Sequence, residues 1–144
     1  MRYKVSTNFN LDEFVNPMLY HTFGERSIHY VQKPVIIAAQ LLRIKFGLAE
    51  INTWYDGGNK TDSGVREFDS AVGAGRSYHK YGGAIDIRFK DASPEDVRKY
   101  ILGNQNVFLN VGITTIEDGT PTWTHIDSRN TNMKNIYVVP FWRK

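Results

Sequence analysis

The sequence predicts an α+β fold, in which a few helices flank a mostly antiparallel sheet, and a single domain spanning residues 1–144. Residues 35–46 carry apolar side chains at steps of three and four, which is the spacing of one helix face. Residues 83–89 instead alternate small or apolar side chains with polar ones, as a half-buried strand does. Residues 107–127 contain two further strand-like runs around a turn. Because the helices precede and interrupt these strands, the pattern favours α+β.

The chain is predicted to open with a short helical turn over residues 11–15. Asn10 is suited to cap it, and Glu13 lies three positions further on, as in a capping box. Pro17 ends the turn. Residues 18–32 show no clear periodicity, and their structure is left open.

The clearest helix follows. Pro34 suits its first turn and Gly47 suits its C-terminal cap. Its apolar stripe is broad, which predicts a buried core helix without chemistry of its own. Residues 51–55 then resemble a strand, and residues 56–62 a loop rich in glycine and polar side chains.

After the strand at 83–89, the chain is predicted to alternate between helix and sheet. Residues 94–102 follow a serine cap and carry acids in the first turn, which favours a helix. Residues 107–116 and 122–127 are interpreted as two strands joined by a turn. Residues 136–139 are interpreted as a closing strand, which a following proline keeps at the edge of the sheet.

Composition excludes several classes of protein. The chain has no cysteine, which rules out disulfides and thiolate metal sites. No window approaches the ~20 apolar residues of a membrane span. We therefore expect no membrane span. The first residues also lack the apolar core of a secretory signal, so we do not expect general secretion. The net charge of +3 comes from scattered Lys and Arg residues without a dense basic run, and we therefore expect no nucleic-acid partner.

The stretch around Gly82-Gly83 concentrates the residues that can carry chemistry. His79 precedes this pair in a loop, and Asp86 follows it in the strand, so a tight turn can direct both side chains at one point. His125, in another strand-like run, offers a third ligand. Imidazole and carboxylate groups suit a divalent ion, and three protein ligands leave a position open for water. Taken alone, however, the pair of His79 and Asp86 is more typical of a hydrogen bond and a loop cap.

The sequence around this pair adds a family resemblance. The run from Ser77 to Asp86, SYHKYGGAID, resembles the SxHxxGxAxD signature of the zinc D-Ala-D-Ala carboxypeptidase family, with every fixed position present. Residues 63–66 resemble the SGxR motif upstream of the first ligand, and residues 123–127 resemble the downstream aromatic-x-His-x-Asp segment. The resemblance covers about residues 50–130. That family includes phage endolysins, and its catalytic domain has the Hedgehog/DD-peptidase fold.

The resemblance implies a metal site and a residue near the substrate. His79, Asp86 and His125 would be the ligands of about one Zn²⁺ per chain. Other divalent first-row ions would also suit this ligand set. Arg66 would lie near the substrate, where a guanidinium can hold a terminal carboxylate or a developing oxyanion. A structural salt bridge explains Arg66 equally well from the sequence alone.

The general base is less well defined by the resemblance. Many members of the family carry a glutamate three residues before the last histidine ligand, but Thr122 occupies that position here. Asp127 lies on the same predicted strand face as His125, so it either activates the zinc-bound water or orients the ligand histidine. Glu117 and Asp118, in the preceding turn, are the other candidates because that turn can fold over the site.

These observations lead to a hypothesis about function. The resemblance implies a zinc metallopeptidase that hydrolyses peptide bonds in bacterial peptidoglycan, as a D-Ala-D-Ala carboxypeptidase or as a stem-peptide endopeptidase. We expect a monomer whose partner is the peptidoglycan peptide. Without a secretory signal, a phage lysis enzyme in the host cytoplasm before lysis or a virion-associated enzyme is expected.

Two alternatives belong to other classes. A non-catalytic, zinc-containing domain that binds cell walls or builds a virion is motivated by the threonine at position 122. A metal-dependent nuclease is motivated by the basic charge and the His/Asp residues, and it predicts DNA binding that weakens as salt rises.

Overall fold

The computed structural model describes residues 2–141 and shows an α+β fold, which confirms the predicted class. The described part contains four α-helices and five strands. The helices are α1 (Pro17–Phe23), α2 (Lys33–Phe46), α3 (Pro94–Gly103) and α4 (Gln105–Val111). The strands are β1 (Ala49–Glu50), β2 (Ala84–Phe89), β3 (Thr115–Asp118), β4 (Thr124–Asp127) and β5 (Tyr137–Pro140). None of the helices within residues 2–141 is long and apolar enough to cross a membrane.

The five strands form one mixed sheet in the order β1-β2-β4-β3-β5. The β1–β2, β2–β4 and β4–β3 neighbours are antiparallel. However, β5 runs parallel to β3, because the chain leaves β4 and enters β5 at the same end of the sheet, which is the end where β3 begins. β5 is an edge strand, as its terminal proline predicted.

The helices predicted from capping signals are confirmed. Asn10 and Glu13 form the expected capping box on a 3₁₀ turn at Leu11–Glu13. Pro17 begins α1 instead of merely ending that turn, and the Asn16 side chain accepts a hydrogen bond from Leu19 N at 2.9 Å. Helix α2 has proline in its first turn and a glycine cap, and its buried face packs into the core. The fully enclosed apolar side chains of that core include Phe14, Val35, Leu42, Ile85, Ile101, Phe108 and Ile126.

One predicted strand is wrong. Residues 105–111 form helix α4, and the strand in this region begins only at Thr115. The valines of this segment favour strand, but Phe108 is fully buried in the core and contacts the Tyr100 ring of α3 at a centroid distance of 6.1 Å. Tertiary packing of the amphipathic face therefore outweighs a weak local preference.

The strand predicted over residues 51–55 is also wrong. β1 ends at Glu50, and a 3₁₀ turn at Trp54–Asp56 follows. Asn52 is buried, and its side-chain amide donates to Val15 O and accepts from Ser63 N, at 3.0 and 2.8 Å. The segment is thus held by a side chain that bridges two other parts of the chain, and not by a sheet ladder.

Candidate metal centre

The sheet brings two of the three predicted ligands together. In the antiparallel pairing of β2 and β4, Asp86 lies directly opposite His125. His79 reaches the same point from a 3₁₀ turn at Tyr78–Tyr81, which ends at Gly82 with φ of 77°. A Cβ at Gly82 would clash with the carbonyl oxygen of Tyr30, so both the backbone angle and the space require glycine there. The predicted loop, tight turn and strand are confirmed, except that the loop is a 3₁₀ turn.

The three side chains form a compact buried group that could hold a metal ion. One ligand atom from each of His79, Asp86 and His125 lies within 4.8 Å of the others. Asp86 Oδ1 is 2.9 Å from His125 Nδ1 and 3.5 Å from His79 Nε2. The two imidazole rings lie 5.3 Å apart and meet edge to face. The structure therefore supports a metal site at the residues that the sequence singled out.

Hydrogen bonds orient both imidazoles as metal ligands. His79 Nδ1 lies 2.9 Å from the carbonyl oxygen of Gly64, so it carries the proton and leaves Nε2 free. His125 Nε2 lies 2.8 Å from Asp127 Oδ2, which leaves Nδ1 to face Asp86. Such fixed tautomers, with two nitrogen donors and one carboxylate, fit the preferences of zinc.

Asp127 lies behind His125 and does not border the open cleft. Its side chain is fully buried, and Arg129 Nε donates to Asp127 Oδ1 at 2.9 Å while Arg129 Nη2 donates to Oδ2 at 2.6 Å. The sequence placed Asp127 on the strand face of His125, and the contact between them confirms that placement. Of the two roles predicted for Asp127, this geometry favours orientation of the ligand histidine over activation of water.

Glu117 approaches the same histidine from the opposite side. The antiparallel register of β3 and β4 brings Glu117 Oε1 to 3.4 Å from His125 Nδ1, the ring nitrogen that faces Asp86. Its side chain is 24% exposed and borders the cleft. Asp118, the next residue, is largely exposed and lies 3.7 Å from Arg98 instead. Glu117 is therefore the carboxylate that lies beside both the ligand group and solvent.

The cleft above the ligand group has a volume of about 590 Å³. Besides the two histidines and Asp86, its walls include Arg66, Arg76, Glu117, Trp123 and Arg129. Arg66 Nε donates to Asp62 O at 2.9 Å, so the guanidinium is held by the backbone while it faces the cleft. Burial lowers the pKa of Arg66, although the nearby charges of Asp86 and Asp62 oppose this shift. The structure thus places Arg66 in the wall of the same cleft as the ligand group.

Charges around His125 set its protonation in the metal-free protein. Burial by itself would lower the pKa of His125, but hydrogen bonds to Asp127 and Asp86 outweigh burial and raise it to about 10. Burial likewise opposes ionisation of Asp86, yet His79 and His125 hold its pKa well below the ordinary value. Hydrogen bonds from His125 and Arg129 do the same for Asp127. His125 is consequently an imidazolium between two carboxylates until a metal ion replaces the proton on Nδ1.

We expect the metal-free protein to be most stable between about pH 4 and pH 6.5. Stabilisation from His125 is fully present below its unfolded pKa of about 6.5 and is lost as pH rises through about 10. Stabilisation from Asp86 and Asp127 is present above their unfolded pKa of about 4 and is lost as pH falls toward their depressed folded values. Thermal unfolding in a chelator across this range is the measurement.

With zinc present, the protein should no longer lose stability as pH rises above about 6.5. Its binding requires loss of the His125 proton, so the rise in melting temperature on adding zinc should grow from about pH 5 to about pH 8. His29→Gln changes an exposed histidine outside the cleft and should leave both profiles unchanged. A zinc effect that is the same at all pH values would contradict the protonated state of His125.

Sequence reasoning assigned no role to Arg129 or Gly64. Arg129 follows Asp127 by two residues and fixes its carboxylate. Strand alternation could not predict this contact, since β4 ends at Asp127 and Arg129 lies in the loop beyond it. Gly64 lies within the SGxR motif, but its function as a carbonyl acceptor for His79 depends on a contact across fifteen residues of chain.

Comparisons with protein-family models, with curated protein sequences and with solved structures found no match to this chain.

Proposed function

We propose that this protein is a zinc-dependent peptidase that hydrolyses peptide bonds in bacterial peptidoglycan, as a D-Ala-D-Ala carboxypeptidase or a stem-peptide endopeptidase. The observation that carries the proposal is the buried group of His79, Asp86 and His125 at the base of an open cleft, with the Glu117 carboxylate beside it. The motif resemblance supplies the substrate class and the Hedgehog/DD-peptidase fold, and it supports the setting of a phage lysis or virion-associated enzyme.

The ligand group would supply the electrophilic part of the reaction. Zinc, when bound there, lowers the pKa of a coordinated water toward about 7 and polarises a carbonyl oxygen. His79, Asp86 and His125 would hold the ion, and the contacts of the two histidines with Gly64 and Asp127 keep both imidazoles oriented.

Proton transfer is assigned to Glu117. It takes a proton from the water that attacks the scissile carbonyl and delivers it to the nitrogen of the departing amine. A glutamate fits this task because it borders the cleft and lies near His125 Nδ1. Thr122, which occupies the position of the family glutamate, is exposed and does not border the cleft, so Glu117 supplies a carboxylate from the neighbouring strand.

Arg66 is assigned to substrate binding. It lies in the cleft wall, and its contacts to the protein are to the carbonyl oxygens of Asp62 and Val72. No ion pair within residues 2–141 involves its guanidinium, so its charge is available to a substrate carboxylate or to the oxyanion of the tetrahedral intermediate.

The proposal is tested by peptidoglycan hydrolysis with purified protein whose zinc content has been measured. We expect about one zinc per chain, release of new amino groups from the wall, loss of that release in chelator, and recovery when zinc is restored. About one zinc per chain without amine release from any wall tested would overturn the peptidase and favour the non-catalytic zinc-containing domain.

A further inference from the structure

The cleft continues past Asp86 into a second, shallower groove of about 270 Å³. Arg66, Asp86 and Trp123 border both spaces, so a ligand seated over the metal ligands can extend into either one. We call this second space the Arg88 groove. Its remaining walls are Asn59, Lys60, Thr61, Asp62, Ser63 and Arg88.

Arg88 faces the groove from the same side of β2 as the metal ligand Asp86. The two residues are two positions apart, and side chains at that spacing point to one face of a strand. Within residues 2–141, Arg88 makes one side-chain hydrogen bond, from Nη1 to Ser63 Oγ at 3.1 Å. Its Nε is buried without any partner. That nitrogen is enclosed by the protein, but Nη2 of the same guanidinium is neither enclosed nor hydrogen-bonded within residues 2–141, so it is the donor that a ligand in the groove can reach.

The charge of the groove selects the kind of acceptor. Lys60, Arg66 and Arg88 are its cations, while Asp62 and Asp86 are its carboxylates. Asp86 is engaged by the two histidines, and Asp62 accepts a hydrogen bond from Thr61 at 2.7 Å. No carboxylate in the described part of the chain lies within ion-pair distance of Arg88. Three cations and two carboxylates thus line the groove, so its net charge is positive and lies next to Asp86, where it attracts an anionic group.

We propose that the Arg88 groove is a substrate subsite that binds a carboxylate of the peptide through the Arg88 guanidinium, with Lys60 adding attraction. The peptide nature of the ligand rests on the proposed function, whereas the carboxylate preference rests on the groove itself. A guanidinium forms strong, directional pairs with carboxylates. The carboxylate belongs either to a side chain within the peptide or to the C-terminus of the peptide.

These two sources imply different reactions. A side-chain carboxylate at Arg88 means that the peptide crosses the metal ligands and that an internal bond is cut. A C-terminal carboxylate at Arg88 means that the chain stops in the groove and that a terminal residue is removed. The same set of probes can separate them.

The experiment measures binding by calorimetry to the zinc-loaded Glu117→Gln protein, in which the probes are not consumed. Three short N-acetylated peptides of D-alanine serve as probes. The first has glutamate before an amidated C-terminus, the second has glutamine at that position, and the third has glutamine with a free C-terminal carboxylate. We expect the first or the third to bind about tenfold more tightly than the second.

Variants then assign the preference to the groove. Arg88→Gln should remove the preference between carboxylate and amide probes, and Lys60→Gln should reduce it about threefold. Arg26→Gln is the matched control, because this residue borders neither space. Lys60 lies in a loop and its variant should fold even if Arg88→Gln does not, which unfolding curves will show.

The outcomes separate this inference from the proposed function. A carboxylate preference that both groove variants weaken supports the subsite, whether or not the wild type hydrolyses peptidoglycan. Equal binding of all three probes, no measurable binding of any, or a preference that survives in the groove variants overturns it. If the wild type hydrolyses peptidoglycan and any of these three results is found, the proposed function is supported and the subsite is contradicted.

Discussion

Protein carrying Asp86→Asn is expected to lose stoichiometric zinc and to release no detectable amines from peptidoglycan. Asp86 is the anionic member of the ligand group, and one of its oxygens faces both imidazoles. An amide in its place is a poorer ligand and no longer balances the charge of the ion. Because the ion would supply several kcal/mol of transition-state stabilisation, the fall in kcat/KM should be roughly a thousandfold or more.

The matched control for this variant is Asp91→Asn. Asp91 is an exposed residue just beyond the end of β2, so its variant carries the same chemical change without touching the cleft. Zinc content by atomic absorption and amine release should both match the wild type. Asp86→Asn protein that retained about one zinc per chain and full hydrolysis would remove Asp86 from the site and contradict the proposed centre.

The second large effect separates the two carboxylates beside His125. Glu117→Gln should keep zinc and lower kcat by about 10²- to 10⁴-fold, which is the range for loss of a general base. Asp127→Asn should instead weaken zinc binding by about 10- to 100-fold, since it loosens the partner that orients a ligand histidine. Activity of Asp127→Asn should recover when zinc is raised to saturation, and activity of Glu117→Gln should not.

Asp118→Asn is the control for the glutamate, because Asp118 is the adjacent carboxylate and points toward Arg98. Its hydrolysis rate at saturating zinc should stay close to that of the wild type. The reverse pattern, with full activity in Glu117→Gln and zinc-loaded but inactive Asp127→Asn, would make Asp127 the base. Titration of zinc against each variant, followed by amine release at saturation, decides between the two assignments.

The closeness of His79 and Asp86 was predictable because their spacing is local, whereas His125, 39 residues from Asp86, was indicated by the motif resemblance. His79 and Asp86 lie on either side of two glycines, and a turn followed by a strand is enough to bring them together. The position of Asp127 beside His125 follows from the alternation of side chains along β4. Alternation does not define how deeply a side chain is buried. Whether Asp127 faces the cleft or lies behind the imidazole depends on Arg129 and on the packing of β4 between β2 and β3.

The elements predicted correctly are those with a clear capping signal or a clear hydrophobic period. Helices α2 and α3 begin with proline in the first turn and are confirmed, as is β2 with its alternating pattern. Helix α4 was mistaken for a strand because its valines favour β structure and its buried residue, Phe108, fits either period. Long-range contacts decided that segment.

The sequence by itself determined the α+β class and the capped helices, since each depends on neighbouring residues, and its motif resemblance indicated the three potential ligands. Only the tertiary structure decided that β5 runs parallel to β3, that Glu117 lies beside His125 and that Arg88 opens a second groove next to Asp86. These features arise where strands distant in sequence pair in one register. The register is set by burial of the shared core, which no local pattern records.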